Sequence, residues 1–248
     1  MNHSFISAAP HDVVGIGRGP VIRYRQRLWA IASSLVLVGC ASLPLDLPVA
    51  SWVKTHGLPR ELDRLLDFME IFAHGTGITT LFIVLLAIDR SLRSRPAWPG
   101  VFVRMAAAVI TAGICTSTLK AVVERVRPRA ADLGSLASVF GTFGTSALID
   151  GRGGADVMSF PSGHAGAAAA FAAALAWRYP DGARAFAVVA LLAALQRVSS
   201  SAHYPSDIAF GAAIGLVAAS AWLGTPPEAA VSHAGRSRTS SMATPAGS

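Results

Sequence analysis

Three short stretches of this sequence carry residue types that handle an anion. In KAVVERVRP, Lys120 and Arg127 stand seven residues apart. If the helix continues, seven steps of about 100° bring both to nearly one face, about 10 Å apart along the axis. Two cations so placed suit a phosphate or another anion. Pro128 favours ending the helix there, and taken alone the pair also fits helix-end cations reaching for water. PSGH, residues 161–164, reads as a helix start. Ser162 is a capping residue, and Gly163 lets a ligand approach the backbone. The free N–H groups and dipole of a helix start attract an anion, and His164 in the first turn is an acid or base within its reach. Alone, this is an ordinary cap with an interfacial histidine. In QRVSSSAHYPSD, Arg197 is a third cation, and His203 and Asp207 are four apart. Asp207 can accept a bond from one ring nitrogen and fix the tautomer. The other nitrogen is then a nucleophile or a metal ligand; the plainer reading is a His–Asp pair stabilising a loop.

These residues sit at the ends of apolar segments. Six such segments run over about 28–45, 68–88, 101–123, 162–177, 183–195 and 208–223. Residues 46–67 are amphipathic and of mixed charge, as in an interfacial loop or short helix. Residues 124–160 are polar and Gly-rich, and 225–248 are a Gly/Ala/Ser/Thr/Pro-rich tail that reads as disordered. In lipid only helices and closed barrels satisfy their own backbone groups, and continuous rather than alternating apolar runs argue against a barrel. The expectation is an all-α polytopic membrane protein: a polar tail over 1–27, six transmembrane helices in a bundle over 28–224, and a tail over 225–248. The small residues of the fourth segment permit close helix packing.

Composition excludes the alternatives. Of 248 residues, 52% are hydrophobic and 14% charged, against about 25% charged in an average soluble domain. Disorder needs low hydrophobicity and high charge, and a soluble surface needs more charge than this. The net charge of +7 is carried by single or small groups of cations, 19 of the 21 being arginine. No basic block, zinc-finger spacing or aromatic RNA-binding signature accompanies them, so no nucleic-acid partner is expected. Cys40 and Cys115 both lie in apolar runs and form neither a disulfide framework nor a metal cluster.

Counting Lys and Arg in alternate loops places 12 on the side of the N-terminus and 9 on the other. The rule that cytoplasmic loops are positive then puts both termini in the cytoplasm. Residues 37–40 (LVGC) match a bacterial lipoprotein cleavage box, but the 27-residue leader is long for a signal peptide; a plain span with a buried cysteine is favoured. Odd segments end, and segments four and six begin, on the extracytoplasmic side. Lys120, Arg127, Ser162, Gly163, His164, Arg197, His203 and Asp207 therefore face one side of the membrane. Ionisable groups gathered at a membrane in this way are functional candidates by default.

KAVVERVRP, PSGH and the Arg197-x5-His203-x3-Asp207 spacing resemble, in order and internal spacing, the three signature motifs of the type 2 phosphatidic acid phosphatase and vanadium haloperoxidase superfamily, in its integral-membrane branch. The resemblance runs strongly from Lys120 to Asp207. One departure is Gln196, where the family usually has Ser. The resemblance implies that Lys120, Arg127, Ser162, Gly163 and Arg197 bind phosphate oxygens. It implies that His203 attacks phosphorus to give a phosphohistidine, that Asp207 orients His203, and that His164 protonates the leaving oxygen and then activates water. No cofactor or metal is implied, since the cations supply the electrostatics.

A site at the outer bilayer surface favours a membrane-embedded substrate: phosphatidic acid, phosphatidylglycerol phosphate, or an isoprenyl diphosphate such as the undecaprenyl carrier. The expected location is a bacterial cytoplasmic membrane. A lipid phosphotransferase shares the same intermediate. A non-hydrolytic lipid binder or transporter is opposed by the intact His164, His203 and Asp207, and a haloperoxidase, which is soluble, by the apolar segments. The stretch 129–160 either shapes access or merely connects. Glu70 and His74, four apart in the outer half of segment two, either line the same pocket or pair with each other.

Overall fold

The computed structural model of the protein describes residues 20–89, 100–144 and 154–224, without the side chains of 20–23. The tail over 1–19, the Arg90, Arg93 and Arg95 cluster, the loop around Gly151 and the tail over 225–248 lie outside the described residues.

Among the described residues eight α-helices follow in order: α1 (Pro20–Ser42), α2 (Asp46–His56), α3 (Arg60–Met69), α4 (Gly75–Ile88), α5 (Gly100–Val122), α6 (Gly163–Arg178), α7 (Ala183–Ser199) and α8 (Pro205–Trp222). No strand occurs among the described residues; only isolated bridges join Arg125 to Phe143 and Met158. Each of the six apolar segments carries a helix. Among the described residues four stretches are long and apolar enough to cross a membrane: Tyr24–His56, Gly100–Val122, Pro180–Ser199 and Pro205–Trp222. A fifth is counted if α3 and α4 form one bent span. The sixth, α6, has 16 residues, short of the roughly 20 that span a hydrocarbon core unaided.

Segment two is broken rather than continuous. After α3 a 3₁₀ turn (Glu70–Phe72) leads into α4, and the two helical parts meet at 64°. The backbone explains the break. His74 is extended (φ −87°, ψ 138°) and caps α4, its side chain accepting from Thr76 N. Gly77 packs so tightly on the preceding turn that a Cβ there would lie 2.0 Å from the Ile71 carbonyl oxygen. Only glycine permits that approach. The amphipathic residues before the segment form α2 and α3, the latter carrying its charges on one face.

α6 and α8 form the centre, with α1 and α5 against α8, and α7 against α6. Ala165, Ala168, Ala170, Ala173 and Ala174 of α6 are buried, as are Ala209, Ala213, Ala218 and Ala219 of α8. Backbones meet where the side chains vanish. A Cβ on Gly211 would lie 2.2 Å from the Ser162 carbonyl oxygen, and one on Gly215 2.1 Å from that of Gly166. Small residues at such a crossing let dispersion contacts replace the hydrophobic drive that lipid does not supply. Gly211→Ala is therefore expected to destabilise the bundle by about 1–3 kcal/mol, read as a lower unfolding temperature in detergent. Gly113→Ala is the control with no such effect, because nothing stands within 4 Å of the added methyl.

At the opposite end of the bundle, cations bond the last carbonyls of α8. Arg25 donates to Ala221 O (2.9 Å) and Arg104 to Trp222 O (2.7 Å). Both satisfy acceptors that a helix end leaves open.

Candidate active site

The N-terminus of α8 begins the site. Pro205 occupies the first turn, where its missing N–H costs nothing. Asp207 Oδ2 accepts from the Tyr204 backbone N–H (2.9 Å) and from Ser159 Oγ (2.5 Å). This fixes the chain just before the helix, and so fixes His203. The His203 ring is buried, with Nδ1 3.6 Å from Asp207 Oδ2, an ion-pair separation just beyond hydrogen-bond reach. Burial pulls the imidazole down to about 4, against the opposing pull of the Asp207 carboxylate. The ring is neutral at ordinary pH, with a lone pair available for attack or coordination.

The start of α6 lies against it. Ser162 caps the helix, accepting from Ala165 N (3.4 Å), and its own N–H donates to Asp207 O (3.0 Å). The two helix starts that carry His164 and His203 are thus joined by a backbone bond. Gly163 faces α5: a Cβ there would sit 3.7 Å from Lys120 Nζ. Lys120 is also within electrostatic reach of Arg127, Arg197 and Asp207.

Arg127 reaches this group by a different route from a continued helix. α5 ends at Val122, and residues 124–127 run extended: Arg125 N donates to Val157 O (2.8 Å) and Val126 N to Thr142 O (2.9 Å). The Arg127 guanidinium then bonds Ala155 O, Met158 O and Ala202 O, at 2.7, 3.3 and 3.2 Å. It ties the 154–158 turn to the residue before His203. The described part of the 129–160 stretch is folded into the site rather than hanging from it.

Arg197, in the last turn of α7, donates to Glu70 Oε1 and to Gln196 Oε1. Its Nε is buried without a partner. Gln196 Nε2 in turn donates to Asp67 Oδ1 (3.0 Å), fastening α7 to α3. Glu70 also stands 3.7 Å from His164 Nε2, and the His74 ring lies 5.8 Å from the His164 ring. Glu70 and His74 thus both face the site. The break in segment two puts them there. All eight residues expected to act together are brought together, with Glu70 and His74 beside them.

One group was invisible as a pattern. Arg125 is fully buried, and its guanidinium bonds Thr142 Oγ1 (3.0 Å), Ser206 Oγ (2.8 Å), Asp207 Oδ1 (2.5 Å) and Asp46 Oδ2 (2.7 Å). It lies between the rings of Phe143 (4.5 Å) and Tyr204 (4.1 Å). Asp46, the first residue of α2, also accepts from the Ser206 N–H (3.0 Å). One buried cation is thus set between two buried carboxylates, one of them the partner of His203. The sequence signal was weak: a second arginine two residues before Arg127, and a lone carboxylate after segment one.

The geometry is that of an anion site: three cations, a helix N-terminus, a neutral buried imidazole backed by a carboxylate, and a second histidine. Among the described residues no group of three or more His, Cys, Asp or Glu is placed to hold a metal ion. Comparison with known proteins gives the family. The PAP2 superfamily model matches residues 101–229. A lipid A 1-phosphatase of Rhizobium etli is 33% identical over 208 residues, covering 79% of this chain and 82% of that protein. One from Rhizobium johnstonii is 32% identical over 213 residues, covering 81% and 80%. The crystal structure of a transmembrane PAP2-type phosphatidylglycerolphosphate phosphatase from Bacillus subtilis superimposes with a TM-score of 0.50 at 20% identity, over 79% of this chain and 90% of that one. That likeness concerns the fold. This chain is an integral membrane protein, and it belongs to the PAP2 superfamily.

Proposed function

We propose that the protein is a membrane lipid phosphatase that works through a phosphohistidine on His203. The observation that carries the reading is the convergence of Lys120, Arg127 and Arg197 on the starts of α6 and α8, where a neutral, buried His203 is backed by Asp207. Lys120, Arg127, Arg197, the Ser162 hydroxyl and the Gly163 N–H hold the phosphate oxygens and offset charge on them during transfer. A His203 nitrogen attacks phosphorus as the bond to the lipid oxygen breaks. His164 gives that oxygen a proton. It then takes one from the water that attacks the phosphohistidine, releasing inorganic phosphate and freeing His203. Asp207 holds the ring and balances its charge.

Residues 28–224 act as one membrane domain in this reading. α6 is the sixth span, short because α5, α7 and α8 surround it, and the site opens on the extracytoplasmic face of a bacterial cytoplasmic membrane with both termini inside. Two relatives matched over about four-fifths of this chain are lipid A 1-phosphatases, so a phosphorylated glycolipid is the first substrate to offer. Phosphatidic acid, phosphatidylglycerol phosphate and an isoprenyl diphosphate complete the set.

The test is phosphate release by detergent-purified protein from this panel, with EDTA present throughout. Release from at least one lipid, undiminished by EDTA, is expected. Absence of release from all of them would overturn the phosphatase reading. Phosphate passing to an added acceptor lipid instead of water would identify a phosphotransferase.

A further inference from the structure

We infer that the groove between α4, α6 and α7 is the seat of the substrate's hydrocarbon chain. This rests on the lipid-phosphate reading above. The groove is a cavity of about 330 Å³ lined by residues of α4, α6 and α7. α4 leans on α6 through ring contacts, Phe82 edge-on to Phe171 at 5.1 Å, rather than through small residues. Ala168 and Ala172 of α6 form the floor. Leu81 and Leu85 of α4 form one wall, and Phe186 and Ala190 of α7 the other.

Continuity with the anion site names the occupant. Phe72 lines one end of the groove and lies two residues from Glu70, in the same 3₁₀ turn. Ala168 lies one helical turn after His164, and Ala190 two turns before Arg197. Glu70, His164 and Arg197 contact one another directly or through Glu70. Three elements thus carry a polar group at the site and an apolar one just below it. A molecule with its phosphate among the cations has its tail led into the groove.

The chemistry of the lining agrees. Tyr179, at the far end, is the one lining residue with a polar side-chain atom, and its hydroxyl donates to Asp89 Oδ2 (2.8 Å). The groove therefore offers no free hydrogen-bonding group to a head group or to water. From Ala168 to Tyr179 is about 16 Å along α6, enough for an extended chain of about a dozen carbons.

Two measurements test this. The first compares phosphatidic acids with six-carbon and sixteen-carbon chains at equal surface dilution in detergent. The wild type is expected to favour the long chain. Ala172→Phe, which fills the floor, is expected to lower kcat/KM on the long chain at least tenfold and to leave the short chain within twofold. Equal loss on both chains, no loss on either, or a wild type indifferent to chain length would overturn the groove. The second needs no turnover, so it separates this inference from the phosphatase reading. Phosphatidic acid with a diazirine about ten carbons along its chain is photolysed on wild-type protein. Labelled peptides from α4, α6 and α7, lost on adding excess unlabelled phosphatidic acid but not phosphatidylcholine, are expected. Labelling spread over every outer face, or displaced equally by phosphatidylcholine, would show ordinary bilayer lipid in the groove and overturn it.

Discussion

His203→Ala is expected to lower turnover of any lipid phosphate by at least about a thousandfold, because in the proposed mechanism this ring is the nucleophile. His203 is buried against Asp207 at the start of α8, and its backbone N–H bonds Arg197 O at 2.9 Å. The backbone is therefore held independently of the ring, and the variant should fold. Its unfolding temperature in detergent should stay within a few degrees of wild type. Full activity in the variant would remove His203 from the nucleophile's role. The wild type provides a second reading of the same group. Burial holds the imidazole near 4, below its usual 6.5. The lone pair is lost only when pH falls through the lowered value. The acid limb of kcat/KM belonging to this group should therefore lie near pH 4, since that profile reports the free enzyme. A limb near 6.5 would mean that the ring is solvated.

Arg125→Leu is expected to destabilise the protein by about 3–5 kcal/mol, the range for breaking a buried ion pair from one side. Arg125 sits between Asp46 and Asp207, all three fully buried. Leucine would leave two carboxylates facing each other with their countercharge removed, and both phenyl faces of the arginine slot without a cation. Thermal unfolding in detergent measures the first effect, and a pH dependence absent from wild type should accompany it as the orphaned carboxylates take up protons. Asp46→Asn combined with Arg125→Leu should recover part of the lost stability, because one of the two stranded charges is then gone. A variant as stable as wild type would show that the buried network contributes nothing net. Since Asp207 loses an anchor, activity should also fall, through poorer positioning of His203 rather than loss of a reacting atom.

The contrast between these two predictions shows where the sequence was readable. His164, His203, Arg197 and Lys120 could be found because charge is rare in this chain and these residues stand at the ends of apolar runs. Their convergence then followed from counting alternate helix ends. Arg127 was found for an incomplete reason: it joins Lys120, but through an extended segment rather than one helix face. Arg125 gave no such signal. Its partner Asp46 is 79 residues away, and nothing in the spacing of either predicts the other. The bend in segment two was hidden differently. Hydropathy averaged over a window passes straight across Glu70 and His74, while the break depends on local backbone at His74 and on the missing side chain of Gly77. Once the bend is known, the direction in which Glu70 points is no longer ambiguous.

The backbone contact between α6 and α8 has a mechanical consequence. Side chains that separate two helices can change rotamer and let the helices slide; a glycine meeting a carbonyl cannot. Gly211 on Ser162 and Gly215 on Gly166 hold the start of α6 and the first three turns of α8 as one rigid unit, with the Ser162–Asp207 bond across the top. α4, which stands on ring contacts, is the element free to yield. If the bilayer thickens, thins or changes lateral pressure, the strain should be taken up there. The spacing between His164 and His203 would then be insulated from the state of the membrane around them.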